Sequence, residues 1–194
     1  MPRLTEATAA KRRAHIIGAA VRCFFRQGFA ATSVDDVCAE GAISKGAFYS
    51  HFPSKEALIH ATADLLASEL GGIESTSVDA LADSLFTRQI APALAEANSR
   101  FGLEMMAASV SDDGLRDRMI ANLENVRAAV ERAIGELSTA GLTRPDCDAA
   151  QAASAIQCYL LGTLTRNAIW RAENRDEVRE TVRTLVRALI APGA

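Results

Sequence analysis

Few side chains in this chain are arranged to make or break covalent bonds. No Gly-x-Ser-x-Gly, phosphate-binding glycine loop, His-Glu-x-x-His or dinucleotide fingerprint occurs. His15, His51 and His60 lack carboxylates or thiols at metal-ligand spacing, and Cys23, Cys38, Cys147 and Cys158 form no Cys-x-x-Cys pair. We therefore expect no catalytic residue, no metal and no cofactor. One stretch does carry chemistry: residues 39–55, AEGAISKGAFYSHFPSK. Within it Ser44, Lys45, Gly46, Ala47, Tyr49 and His51 form a short face of small, basic and hydrogen-bonding groups. Small residues let a helix backbone sit close to base edges in a major groove, and Lys45 can donate to guanine acceptors. The chemistry on offer is recognition of double-stranded DNA.

The flanking residues supply the elements that hold this face. The Ser44 side chain can cap a short helix, while Ile43, Phe48 and Phe52 attach that helix to its neighbours. Ser54 caps a further helix and puts Lys55 in its first turn, within reach of a phosphate. Upstream, Ile16, Ala20 and Phe24 repeat at i, i+4 and i+8, predicting a helix from about Thr8 to Gln27 that Gly28 stops. Thr32 and Ser33 cap the next helix, with Asp35 and Asp36 in its first turn and Val34 and Val37 facing inward. The pattern is a helix-turn-helix. Arg3, Lys11, Arg12 and Arg13 form a basic arm and helix start that can reach a DNA backbone.

These residues carry a resemblance. Residues 12–58 resemble the DNA-binding domain of the TetR family of transcriptional regulators. The match rests on Ile16, Ala19, Ala20, Phe24, Gly28, Phe29, Thr32, Ser33, Val34, Val37, Ser44, Lys45, Gly46, Phe48, Tyr49, His51, Phe52, Ser54, Lys55, Glu56 and Leu58. The family turn usually reads Ala-Gly-Val-Ser; here it is Gly41-Ala42-Ile43-Ser44. Glycine tolerates the left-handed conformation and alanine does not easily, so the swap predicts a turn displaced by one residue. The resemblance implies that Thr32 or Ser33 also touches phosphates. It further implies a homodimer on a palindromic operator, a connecting helix after residue 55, and a small-molecule cavity in the C-terminal half.

Charge agrees with this division. The chain of 194 residues is formally −3. Residues 1–60 hold eight Lys and Arg against five Asp and Glu, a net +3, which leaves thirteen against nineteen, a net −6, for the rest. All three lysines lie in the first 60 residues. Such asymmetry marks a nucleic-acid-binding end. With no leader-like or long apolar run, we expect a cytoplasmic protein, no membrane contact and reduced thiols in packing roles.

The C-terminal half reads as helices over about 77–97, 99–110, 113–140, 147–172 and 175–190, with Pro92 kinking or splitting the first. The connecting helix, with Leu58, Ala61 and Leu65 on one face, should end at Gly71-Gly72. In the third of the later helices Leu115, Met119, Leu123, Val126, Val130 and Leu137 form a long apolar stripe. Residues 149–165 carry no charge, and a helix apolar all round is buried all round. With Val178, Val182, Leu185 and Leu189 on the last helix, this predicts a homodimer through helices 147–172 and 175–190. The row Arg175, Arg179, Arg183, Arg187 reads as a solvated face. Arg88, Gln89, Met105, Met106, Gln157, Tyr159, Asn167 and Trp170 break otherwise apolar faces and are the candidate ligand-binding residues, for a small apolar effector. Core packing or plain surface is the ordinary role of each.

The fold expected is all-α: a three-helix helix-turn-helix domain over 1–54, then a helical ligand-binding and dimerisation domain over 55–194. The function expected is a homodimeric DNA-binding regulator, a ligand-responsive repressor reading its operator through residues 44–51. Two alternatives stand beside it: a regulator with no small-molecule inducer, and a small-molecule-binding protein or enzyme that works through the C-terminal cavity.

Overall fold

The computed structural model describes residues 6–69, 72–170 and 174–192; Arg3 of the basic arm and Gly71 of the glycine pair lie outside them. Among the described residues the chain is all-α. Helices α1 (Glu6–Gln27), α2 (Val34–Glu40) and α3 (Lys45–Tyr49) form the N-terminal unit, and α4 (Lys55–Glu69) leads out of it. The rest comprises α5 (Val78–Leu85), α6 (Ala91–Ala93), α7 (Glu96–Ser109), α8 (Asp113–Thr139), α9 (Ala149–Trp170) and α10 (Arg175–Ile190). No described helix is long and apolar enough to cross a membrane.

The helix ends have local causes. Gly28 sits at φ +87 and returns its N–H to the Phe24 carbonyl at 2.8 Å, which stops α1. Ser33 and Asp36 cap each other's backbone N–H at the start of α2. Those bonds hold the Asp36 carboxyl below its usual range. Gly141, at φ +71, closes α8 with Gly141 N–H on Ser138 and Leu142 N–H on Leu137. Between α5 and α6 the chain widens into a π-helical turn over Phe86–Ile90, with the Ala91 N–H reaching Phe86. Pro92 follows immediately; it has no N–H for the Arg88 carbonyl, and its ring would crowd that oxygen. The predicted kink is thus a split helix.

Two apolar cores result. The first joins Ile16, Ala20 and Phe24 of α1 to Val37, Phe48, Phe52, Leu58 and Ile59, and takes in Phe101 and Met105 of α7 and Leu115 of α8. Phe101 stacks on Phe24 with centroids 5.6 Å apart and meets Phe25 edge-on at 5.3 Å. The second gathers Leu81, Leu85, Phe86 and Ile90 with Val130, Ile134 and Leu137 of α8, Ile156 of α9, and one stripe of α10. That stripe is Val178, Val182, Val186 and Ile190; Leu185 and Leu189, expected on it, lie on its flank and are only partly buried.

The arginine row of α10 is largely exposed, as expected, but its side chains are also engaged by the neighbouring helices. Arg183 pairs with Asp83 through two N–H···O contacts of 3.0 and 3.1 Å, and Arg187 pairs with Asp79 at 2.8 and 3.0 Å. Arg179 lies 4.6 Å over the Phe86 ring, and Arg175 donates to the Ala91 carbonyl. The i, i+4 spacing of the arginines runs along the i, i+4 pair Asp79 and Asp83 of α5, so the row clasps two helices together.

Candidate nucleic-acid interface and ligand cavity

The turn between α2 and α3 keeps its register. Gly41 stays helical at φ −86 as the C-cap of α2, and Ala42 takes the left-handed position at φ +48. The displacement expected from the Gly41-Ala42 order is therefore absent. Gly41 has its own constraint, because a Cβ there would lie 3.2 Å from the Val37 carbonyl and 3.3 Å from the Ala19 methyl. His15 caps the same corner, with Nε2 2.7 Å from the Gly41 carbonyl. A side chain at 41 would fit only if its neighbours gave by a few tenths of an ångström, and the left-handed residue at 42 is strained by about 1–2 kcal/mol.

Helix α3 presents nearly all of its side chains outward. The Ser44 hydroxyl accepts the Ala47 N–H at 3.1 Å and fixes the first turn. Phe48 is fully buried and is the anchor. Ser44, Lys45 and Gly46 are exposed, Ala47 is half-buried, and Tyr49 is 53% exposed with its ring edge-on to Phe48. A Cβ on Gly46 would meet only the Ser44 hydroxyl, at 3.9 Å. Lys45 Nζ lies 2.8 Å from Asp35, both side chains well exposed, and the carboxylate raises the Lys45 pKa. An exposed pair of this kind is worth at most about 1 kcal/mol, so Lys45 is readily redirected to a base or phosphate. Ser33 is exposed, and His51 is half-buried beside α3.

Two expected phosphate contacts are placed differently. Thr32 is 2% exposed and its hydroxyl donates to the Gly28 carbonyl at 2.7 Å; it staples the α1–α2 corner and leaves Ser33 as the surface residue. Lys55 is half-buried, with Nζ 4.3 Å over the Phe29 ring and 3.3 Å from the Ala30 carbonyl, and burial lowers its pKa. Both have an internal partner because they sit where α1, α2 and α4 converge. Arg22 and Arg26 of α1 are likewise taken up by Glu40. Burial raises the pKa of Cys23, Cys38 and Cys147, which disfavours a thiolate at those three positions.

Five polar contacts tie this unit and α4 to the helices behind them. Arg100 of α7 donates to the Phe25 and Arg26 carbonyls, both at 3.1 Å, and Glu104 of α7 accepts the Phe29 N–H. His60 of α4 lies 2.7 Å from the Asp112 carboxylate at the start of α8, and Asp64 of α4 lies 3.1 Å from Arg118 of α8. A Cβ at Gly114 would stand 3.0 Å from the His60 ring, so any side chain there would press on the His60–Asp112 contact.

Next to these contacts is a cavity of about 350 Å³, enclosed by α1, α4, α7, α8 and α9 and by the chain around Pro92. Gln89, Met105, Met106 and Gln157 line it, as expected from the sequence. The other candidates are elsewhere. Arg88 is exposed beside Gly72 at a separate surface depression, and Tyr159 packs on the second core. Asn167 is buried and donates to the Leu94 carbonyl and the Ser99 hydroxyl; Trp170 is 67% exposed. Leu161, in the uncharged stretch 149–165, also lines the cavity. Lining residues not foreseen include Phe25, Phe101, Arg118, Met119, Asn122 and Leu123. Met119 and Leu123 belong to the visible stripe of α8, but a periodicity does not tell which part of a stripe meets a neighbour and which meets a void.

Comparison with known proteins bears on both halves. The family described as "Bacterial regulatory proteins, tetR family" matches residues 16–62, and that described as "BetI-type transcriptional repressor, C-terminal" matches residues 76–191. YerO of Bacillus subtilis, an uncharacterized HTH-type transcriptional regulator, is 49% identical over 49 residues, 25% of this chain and 17% of that protein. The HTH-type transcriptional regulator AcrR of Shigella flexneri is 34% identical over 74 residues, 38% of this chain and 34% of that protein. The chain thus spans about a sixth to a third of the length of these two relatives. Among solved structures, a TetR transcription regulator from Haloarcula marismortui superposes with a TM-score of 0.82 at 20% identity, covering 93% of this chain and 99% of that one. At that identity the likeness establishes the fold.

Proposed function

The chain belongs to the TetR family of bacterial regulatory proteins, and we propose from this that it is a homodimeric DNA-binding transcriptional regulator, a repressor released by a small apolar effector. We divide it into a DNA-reading unit over 1–54 and an effector and dimer unit over 55–194, with α4 as the connection. The observation that carries the reading is α3: a short helix held by one buried side chain, with Ser44, Lys45, Gly46 and Tyr49 turned outward and Gly46 facing open space. A glycine inside a helix costs about 1 kcal/mol relative to alanine. Nothing in the protein needs its missing side chain, whereas the floor of a major groove does.

Lys45 and Tyr49 then contact base edges or the adjacent backbone, while Ser33, His51 and the start of α1 grip phosphates. Phosphate contacts supply affinity and salt dependence; base contacts supply sequence choice. The dimer forms through α9 and α10, where Ile169, Trp170, Leu185 and Leu189 are exposed or partly exposed in the single chain. Two-fold symmetry places the half-sites about 34–36 Å apart, or further for a wide dimer. The repressor reading is supported by the description of the family matched over 76–191. Release follows if the effector binds best to a conformation whose two α3 helices are wrongly spaced.

Selection from a random duplex pool tests this. The purified protein should enrich an inverted repeat, and Lys45→Ala should relax the base preference at the positions it reads. A pool that stays random would remove the DNA-reading function.

A further inference from the structure

We propose that the effector is an acid: an apolar body bearing one carboxylate or similar anionic group, which Arg118 receives at the cavity in competition with Asp64. The inference rests on reading the cavity as the effector site.

The wall of the cavity is apolar apart from a few amides and a single formal charge. Among its described lining residues Arg118 carries that charge, and no Asp or Glu is present. A cationic ligand would leave water for a site with no counter-charge and one guanidinium. An anion finds a forked donor that suits a carboxylate. Arg118 has capacity for it. Its Nε faces Asp64 and its Nη1 donates to the Gly114 carbonyl at 2.9 Å, while among the described residues no hydrogen bond reaches Nη2. Asn122 lies one helical turn further along the same face of α8 and also lines the cavity. Its amide has no side-chain partner among the described residues. Guanidinium and amide, four residues apart on α8, thus bring two polar side chains together on a wall that is mostly apolar, with Phe25, Phe101, Met105 and Leu164 among its residues.

The same geometry says how binding is felt. The Arg118–Asp64 pair is 40% and 57% exposed, so its intrinsic worth is small and it exchanges easily. A ligand whose apolar body is held in the cavity keeps its carboxylate beside the guanidinium and competes there with Asp64. When it takes the guanidinium, α4 loses its tie to α8 through Asp64, while the apolar body presses on Leu66 of α4 and Phe25 of α1. Occupancy is therefore registered by both helices that position the reading head.

Isothermal titration calorimetry with the full-length protein tests this, using decanoate, decan-1-ol and decyltrimethylammonium below their micelle concentrations. Decanoate should bind about tenfold more tightly than decanol, the worth of one charge-assisted contact, and the cation should bind weakest. Arg118→Gln should bring decanoate down to the level of decanol, Arg118→Lys should recover part of the preference, and Asp64→Asn should raise decanoate affinity up to about fivefold. Leu164→Trp, which fills the cavity, should abolish decanoate binding; binding that survives it places the acid elsewhere and overturns the proposal. Decanol binding as well as decanoate, or the cation binding best, overturns the acid and leaves the cavity as an effector site. Binding by none of the three overturns both.

Discussion

At the scale of single residues, Gly46 in the proposed reading head sets stability against function, and Ala42 tests backbone strain in the turn before it. Gly46 has open space where its Cβ would stand. Gly46→Ala should raise stability by up to about 1 kcal/mol in urea unfolding, yet weaken binding to the selected operator several-fold. A variant that gains stability and binds as before would remove the argument for close approach at α3. Ala42 occupies the left-handed position at φ +48. Ala42→Gly should stabilise by about 1 kcal/mol, seen as a higher urea midpoint with an unchanged m-value; an unchanged midpoint would mean that the alanine is not strained. Much of this face was legible in advance, because capping serines, small residues and Phe48 declare their roles by type and spacing. The placement of Thr32 and Lys55 was not. A hydroxyl or ammonium at a corner can turn outward to a phosphate or inward to a carbonyl, and only the convergence of α1, α2 and α4 decides which.

At the scale of elements, polar contacts join α7 to α1 and α4 to α8, and the proposed effector response would have to pass through them. Glu104→Ala leaves the Phe29 N–H without its acceptor and should destabilise the protein by about 1–3 kcal/mol in thermal melts. Equal stability would show that water takes over the bond. Asp112 accepts the Leu115 N–H and pairs with His60, and both hold its carboxyl below the usual range. A depressed folded pKa gives stability that is present above the unfolded value of about 3.9 and lost as pH falls through the folded one. Asp112→Asn should therefore melt lower than wild type at pH 7, with the gap closing as the pH drops below about 3.9. A gap independent of pH would assign the loss to packing rather than charge. Helix number and order were visible in the sequence through caps, stops and stripes. The clasp of α10 on α5 was not, since an arginine row on a helix looks the same whether it faces water or a matching pair of aspartates on another helix.

At the scale of the whole molecule, a basic N-terminal end and an acidic remainder fit a protein that grips DNA with one end and associates through the other. Composition carries that asymmetry, so it was readable without a structure. The cavity was only half readable, because voids are defined by what fails to touch. If α9 and α10 form the dimer, Ile169→Asp with Leu185→Asp should yield monomers by light scattering and cost about a hundredfold or more in operator affinity through lost avidity. A dimer that survives both changes would refute the assigned interface. The central claim, that α3 reads base sequence, is tested most directly by fluorescence anisotropy. The selected duplex and a scrambled one would be titrated between about 50 and 200 mM salt, with Lys45→Ala/Tyr49→Ala beside the wild type. The account predicts a wild-type preference for the selected duplex that persists as salt weakens both complexes, and a double variant that binds both duplexes alike. A preference that survives in the double variant would place sequence reading outside α3 and contradict the account.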